Sequence, residues 1–402
     1  MKDQFVVPAR LKTTSFVLMG IGLLTLLIGI FAFGGEHGST RFWAGLLQNS
    51  SFFLLVVLAS AFFIGVTTLA HGGWQLGFRR IPEAISMAVI PLGIIFFVIL
   101  MCLVYGHAGH IYHWLDTEHV KHDPILSWKA PFLNPTFFTI AAVLTIGLWM
   151  LFITKLRKMS IEEDSWGFSP EKGKKILWRN TVMCGGFIVI YSLSVGSTSP
   201  WLWLMSIDAH WYSTMYSWYT FVSSWVSGIC LIALWLIYLK RNGYLPNINE
   251  EHLHDLGKLA FGFSVFWTYL WFSQYMLIWY ANMPEEIVYY KPRVWGEWRP
   301  IFFLNLAINF ITPLLFLMSK TTKRSWSSMA FISVVIISGH WMDFWQMVGP
   351  GTYQHLVFPW YELGLGVGFV GLIIFLVSRN LTKAPLVPKS HPYLKESVIH
   401  LS

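Results

Sequence analysis

Ten stretches of this chain are apolar for long enough to cross the roughly 30 Å hydrocarbon core of a bilayer, a distance that takes about 20 helical residues. They lie near residues 15–33, 51–75, 84–106, 135–156, 178–198, 214–238, 257–281, 300–318, 327–347 and 360–378. Inside hydrocarbon every backbone N–H and C=O must find its partner within the segment, so spans of this length are helices. The expected fold is an all-α integral membrane protein of about ten transmembrane helices. Composition agrees with that reading. Only 12% of the 402 residues are charged, about half the share usual in soluble domains. The 22 Trp suit a chain that meets the lipid–water interface many times.

The basic residues fix the orientation. With ten crossings, every Lys and Arg except Arg41, Lys121, Lys129, Lys291, Arg293 and Arg299 falls on the side that holds both termini. The positive-inside rule then puts both termini in the cytoplasm. One crossing more or fewer in mid-chain would scramble this segregation. The net charge of +8 is therefore an orientation signal, and no nucleic-acid partner is expected. Residues 15–33 are long for a secretory signal and are expected to stay as the first helix. The Pro-containing tail, with Pro385, Pro388 and Pro392, is expected to be extended and to lie on a partner.

Cys102, Cys184 and Cys230 lie in apolar segments, far apart in sequence, and form no metal or haem motif. No loop is long enough for a soluble catalytic domain. Chemistry must come from ionisable groups within or beside the spans, which are costly there and so are functional candidates. His340 and Asp343 on the ninth span share a helix face. They form either a proton relay or a mutually satisfied pair tying helices together. His71 ends the second span and Glu83 opens the third, where they form a shared proton entrance or simply solvated helix ends. Asp208 and His210, among Trp residues, form the mouth of an outward half-channel or an anchored turn. Gln274 and Tyr275, with Asn305 and Asn309, suit interhelical bonding as well as water wires. His71 and His340 differ in depth by roughly 14 Å, too far to ligate one haem. The outer His107, His110, His113, His119 and His122 complete no recognised metal spacing, and contact with a partner is their expected use.

Three segments carry a family resemblance: Ser206–Tyr219, Glu251–Lys258 (EHLHDLGK), and Phe272–Glu286 with its IWYANMPEE run. The chain resembles the ActF subunits of bacterial alternative complex III, a quinol:cytochrome c oxidoreductase, within the wider NrfD/PsrC group of ten-helix membrane subunits. The resemblance covers essentially the whole chain. It implies two four-helix bundles, at 51–198 and 199–347, flanked by a first helix within 1–50 and a last helix and tail within 348–402. It implies a homologous ten-helix sister subunit, other subunits carrying iron–sulfur clusters and c-type haems, and cytochrome c oxidase as a supercomplex partner, all in the bacterial inner membrane. It assigns quinol oxidation to the sister, and proton conduction or scaffolding to this subunit. No cofactor is expected on this chain itself, with quinone or quinol nearby. On that basis the expected proton path holds His71, Glu83, Asp208, His210, Gln274, Tyr275, His340 and Asp343. The alternatives are a quinone-binding anchor working with an iron–sulfur partner, and an independent secondary transporter.

Overall fold

The computed structural model describes residues 4–33, 36–106, 110–167, 169–353 and 355–401, without the side chains of 36–38 and 119. His107 and the His119 side chain therefore lie outside the described residues. Among the described residues there is no strand, and nine helical spans are long and apolar enough to cross a membrane. We label the helices α1 (Ala9–Ala32), α2 (Glu36–Leu69), α3 (Arg80–Ser86), α4 (Val89–Tyr105), α5 (Pro135–Glu163), α6 (Pro170–Leu193), α7 (Met215–Arg241), α8 (Glu250–Ala281), α9 (Arg299–Leu306), α10 (Thr312–Leu317), α11 (Trp326–Thr352), α12 (Trp360–Leu381) and α13 (Leu394–Val398). α3 and α4 make one span, as do α9 and α10. The long helix α8, with 32 residues, is a tenth crossing by length. Its Ser, Gln, Trp and Tyr residues make it less apolar than the other nine.

Local chemistry sets the helix ends. Asn134 and Ser169 cap α5 and α6 with their side chains, each followed by Pro at the first helical position, where the missing N–H costs nothing. Asn249 and His252 form a reciprocal capping box on α8. α2 stops where His71 turns into the left-handed region, φ 53°. Its start lies well before the expected residue 51. The stretch from Gln48 to Ser51 looks like a loop in sequence, yet all four side chains are buried. Asn49 donates to the Glu362 carbonyl at 3.1 Å and accepts from Trp341 Nε1 at 2.9 Å. Its polarity is interhelical bonding, and the chain there is helix.

α2 and α7 form the centre. Of their apolar windows, 78% and 83% are buried, against 17% for α1. They cross closely because Gly228 faces Ala59, where a Cβ would come within 2.6 Å. α2 also packs on α3, α4, α6, α11 and α12, and α7 on α8 and α11. α1 leans almost wholly on α12. Gly22 meets Gly368, Thr25 meets Gly364, and Gly371 meets Leu18 and Ser15, so small residues let the two backbones touch.

Both termini emerge at one end of the helices, where Gln4 donates to the Thr382 carbonyl at 2.7 Å. The tail is not free. It folds back under this end, burying Ala384, Leu386, Ser390 and Ser397. Ser397 Oγ donates to the Trp74 carbonyl (2.7 Å), accepts from Gly77 N (3.0 Å), and lies 3.1 Å from His252 Nε2. His400 Nε2 sits 2.6 Å from Asp255. The tail thus lies on its own chain, strapping the 70–80 loop to the start of α8.

Candidate functional site

Asp343 lies two-thirds of the way along α11 and is buried, with 1% of its surface exposed. A carboxylate out of water needs a donor for each lone pair. Four converge here from three other helices. Tyr219 Oη and Asn305 Nδ2 (2.7 Å) donate to Oδ1, and Ser223 Oγ (3.0 Å) and Trp267 Nε1 (3.1 Å) donate to Oδ2. Ser223 spends its hydroxyl hydrogen on Asp343, so its oxygen, 3.0 Å from His340 Nδ1, must accept there. The network therefore assigns the proton of a neutral His340 to Nδ1. That leaves Nε2, buried and without a partner, as a bare acceptor. His340 Nδ1 lies 4.0 Å from Asp343 Oδ2.

Asn305 is one turn from Asn309, whose Nδ2 lies 2.5 Å from Asn305 Oδ1. Asn309 sits on a π-helical turn, Ala307–Ile311, between α9 and α10. Such turns recur at functional sites. Another π turn, Ser194–Thr198, extends the α6 span toward Trp203. Both remain hydrogen-bonded helix, unlike the unwound segments of many transporters.

Towards the end away from the termini, a cavity of about 20 Å³ touches Asp343, Tyr219, Gln274, Gln346, Tyr289, Tyr290 and Arg293. That volume takes a water molecule. Gln274 Nε2 donates to Ser213 Oγ at 2.9 Å, while Tyr275 packs its ring on Trp271, Tyr290 and Phe302. Beyond lies a vestibule of about 1060 Å³ whose lining includes His110, His113, Asp116, Asp208, His210 and Lys291. Burial pushes the Asp208 carboxyl above its ordinary value, and Arg293, 3.6 Å away, pulls it back. His210 binds Asp123 at 2.5 Å and holds that carboxyl below its usual range.

Arg293 is the residue that sequence reading missed. It stood there only as an outer-side cation. Its guanidinium donates to the carbonyls of Tyr289 (2.5 Å), Met347 (3.0 Å) and, through Nε, Gln346 (3.2 Å). Pro350 lies inside α11 and lacks the N–H that would have reached the Gln346 carbonyl four residues back. Arg293 supplies the missing donor.

The remaining expected residues sit elsewhere. His71 caps α2 at the inner end, its ring edge-on to Tyr393 of the tail. It shares a cavity of about 10 Å³ with Gln75, Arg79 and His391. Glu83 is the hub of a separate buried ion cluster, bonded to Arg79 (3.1 Å), Arg80 (3.1 Å), Arg157 (2.6 Å) and Ser160 (2.6 Å). His71 and Glu83 thus flank Arg79 without a hydrogen bond to each other. His110 and His113 do not share a helix face, because α4 has already ended and His110 itself adopts φ 49°. Among the described residues no group of three or more His, Cys, Asp or Glu is arranged to hold a metal ion.

Together these observations define a multi-pass, all-α membrane protein with a satisfied carboxylate inside its second half, beside a water-sized cavity and a vestibule on the side away from the termini. No protein-family model and no curated protein matches the chain.

Proposed function

We propose that this chain is a non-redox membrane subunit of a respiratory quinol:cytochrome c oxidoreductase of the alternative complex III type, and that it moves protons through the Asp343 cluster. The sequence resemblance supplies the complex. The arrangement around Asp343 supplies the chemistry: a carboxylate, a hydroxyl and an imidazole in series, with a water-sized cavity and a vestibule on the outer side. A proton reaching the bare Nε2 of His340 makes an imidazolium that Asp343 stabilises through Ser223. Ser264 on α8 and Ser333 on α11 are buried hydroxyls further along these helices toward the end that holds the termini. Both termini and most basic residues share the inner end, which supports a cytoplasmic placement in a bacterial inner membrane.

The quinone-anchor reading meets a size argument. Ligand pockets run to about 300–1,000 Å³, and the cavity at Asp343 has room only for water. A larger groove of about 760 Å³ runs along the opposite face of α11 beside Trp341, Met342 and Trp345. Ser338 is the one polar aliphatic side chain in its lining, so it offers little to hold a quinone ring.

The test is Asp343→Asn in the native complex, with quinol:cytochrome c turnover and proton release measured in liposomes. The expected outcome is intact assembly and turnover with altered proton release. Loss of turnover with intact assembly would move the quinone site to this chain. Wild-type behaviour in both assays would leave a scaffold.

A further inference from the structure

Arg293 lies between the two outer cavities. On one side Asp208 lines the vestibule, 3.6 Å from the guanidinium. On the other, Arg293 lines the water-sized cavity that touches Asp343. The side chain is 2% exposed and cannot swing freely, because three backbone carbonyls hold it and the Tyr289 ring lies 3.5 Å beneath it. It sits on the π-helical turn Lys291–Trp295, next to Lys291 of the vestibule wall.

A fixed cation in a low-dielectric wall repels any cation that approaches it, far more strongly than it would in water. The vestibule carries Asp116 and Asp208 beside Lys291, His110, His113 and His210. Its carboxylates attract sodium and potassium as well as protons, and at about 1060 Å³ it is wide enough to hold any of them. We propose that Arg293 is the ion filter of this path, keeping metal cations in the vestibule away from the Asp343 carboxylate. This inference rests on the proton-path reading above. A proton meets the same repulsion, but it crosses by hopping between oxygen atoms, each taking one proton and giving up another, and so needs no space of its own beside the guanidinium. A metal ion has no such route. Its way to Asp343 leads past a fixed positive charge and through a space of about 20 Å³.

The competing view is that Arg293 only supplies the donor that Pro350 lacks. Ion flux separates the two. The native complex is reconstituted in liposomes loaded with potassium- and proton-sensitive dyes, as wild type and as Arg293→Gln, Arg293→Lys, Asp343→Asn and Arg293→Gln/Asp343→Asn. Arg293→Gln is expected to admit potassium several-fold faster than wild type, and the added Asp343→Asn to abolish that leak. Arg293→Lys keeps the charge and loses the planar fork, and is expected to stay tight. Should Arg293→Gln fail to assemble, Arg293→Gln/Asp208→Asn replaces the ion pair with a neutral one and is expected to leak in the same way. Tight Arg293→Gln vesicles, or an equal leak from Arg293→Lys, would overturn the filter while leaving the path intact. Unchanged proton release in Asp343→Asn would remove the path, and the filter with it.

Discussion

At the scale of single residues, the chain treats its two main buried acids in different ways. Asp343 is satisfied by neutral donors, and Glu83 by three guanidinium groups. The Tyr219 and Ser223 hydroxyls can rotate and exchange protons, whereas a carboxylate ringed by arginines is a clasp. Glu83 joins α3 to α5, and Arg157 in turn bonds the Asn380 carbonyl on α12. Removing one partner of a buried ion cluster leaves uncompensated charge, at a cost of about 3–5 kcal/mol. Glu83→Ala is therefore expected to lower stability by about that amount in a detergent unfolding titration, with Asp343 and its donors unchanged. His340 and Asp343 were legible as a pair because they lie three apart on one helix. Asn305 was legible as an interhelical polar group but not as their partner, and Tyr219, Ser223 and Trp267 were not legible, because they come from other helices and only folding brings them together.

At the scale of elements, the tail shows how far composition can mislead. Three prolines and no apolar period read as an extended segment lying on a partner. Its order comes from backbone and hydroxyl bonds to the inner loop, which leave no periodic trace. Its response to acid is centred on one residue. Burial, with repulsion from Arg79, pushes His391 down to about 3. A histidine whose pKa is lowered in the docked state stabilises docking fully above its free value near 6.5. That stability drains as pH falls from about 6.5 towards about 3. The far end carries no such buried imidazole and is held by Ser397, which bonds the Trp74 carbonyl and Gly77 N. Hydrogen exchange at pH 7.5 and pH 4.5, values chosen about 1 and 2 units either side of the free histidine value, is expected to show lost protection around 388–393. Residues 397–401 should keep theirs. Uniform loss along the tail would contradict this account.

For the whole molecule, the number and order of crossings were legible because bilayer thickness imposes one length on every span. Which helices lie at the centre was not. The α3–α4 span is more apolar than either α2 or α7, and what sets those two together, Gly228 against Ala59 and Phe62 against Phe221 and Trp225, joins residues far apart in sequence. The same physics holds α1 to α12. Gly368→Leu would drive a side chain into the backbone at Gly22, and overpacking of this kind costs about 1–3 kcal/mol. The variant is expected to lose thermal stability, whereas Gly185→Leu on α6, which faces open space, should not. Measuring both midpoints in detergent checks the pair. The α1–α12 contact also bears on biogenesis. The ribosome makes α1 long before its principal partner α12. While every span between them is synthesised, α1 must wait in lipid with its glycine-lined face uncovered, and the pair closes only when α12 arrives.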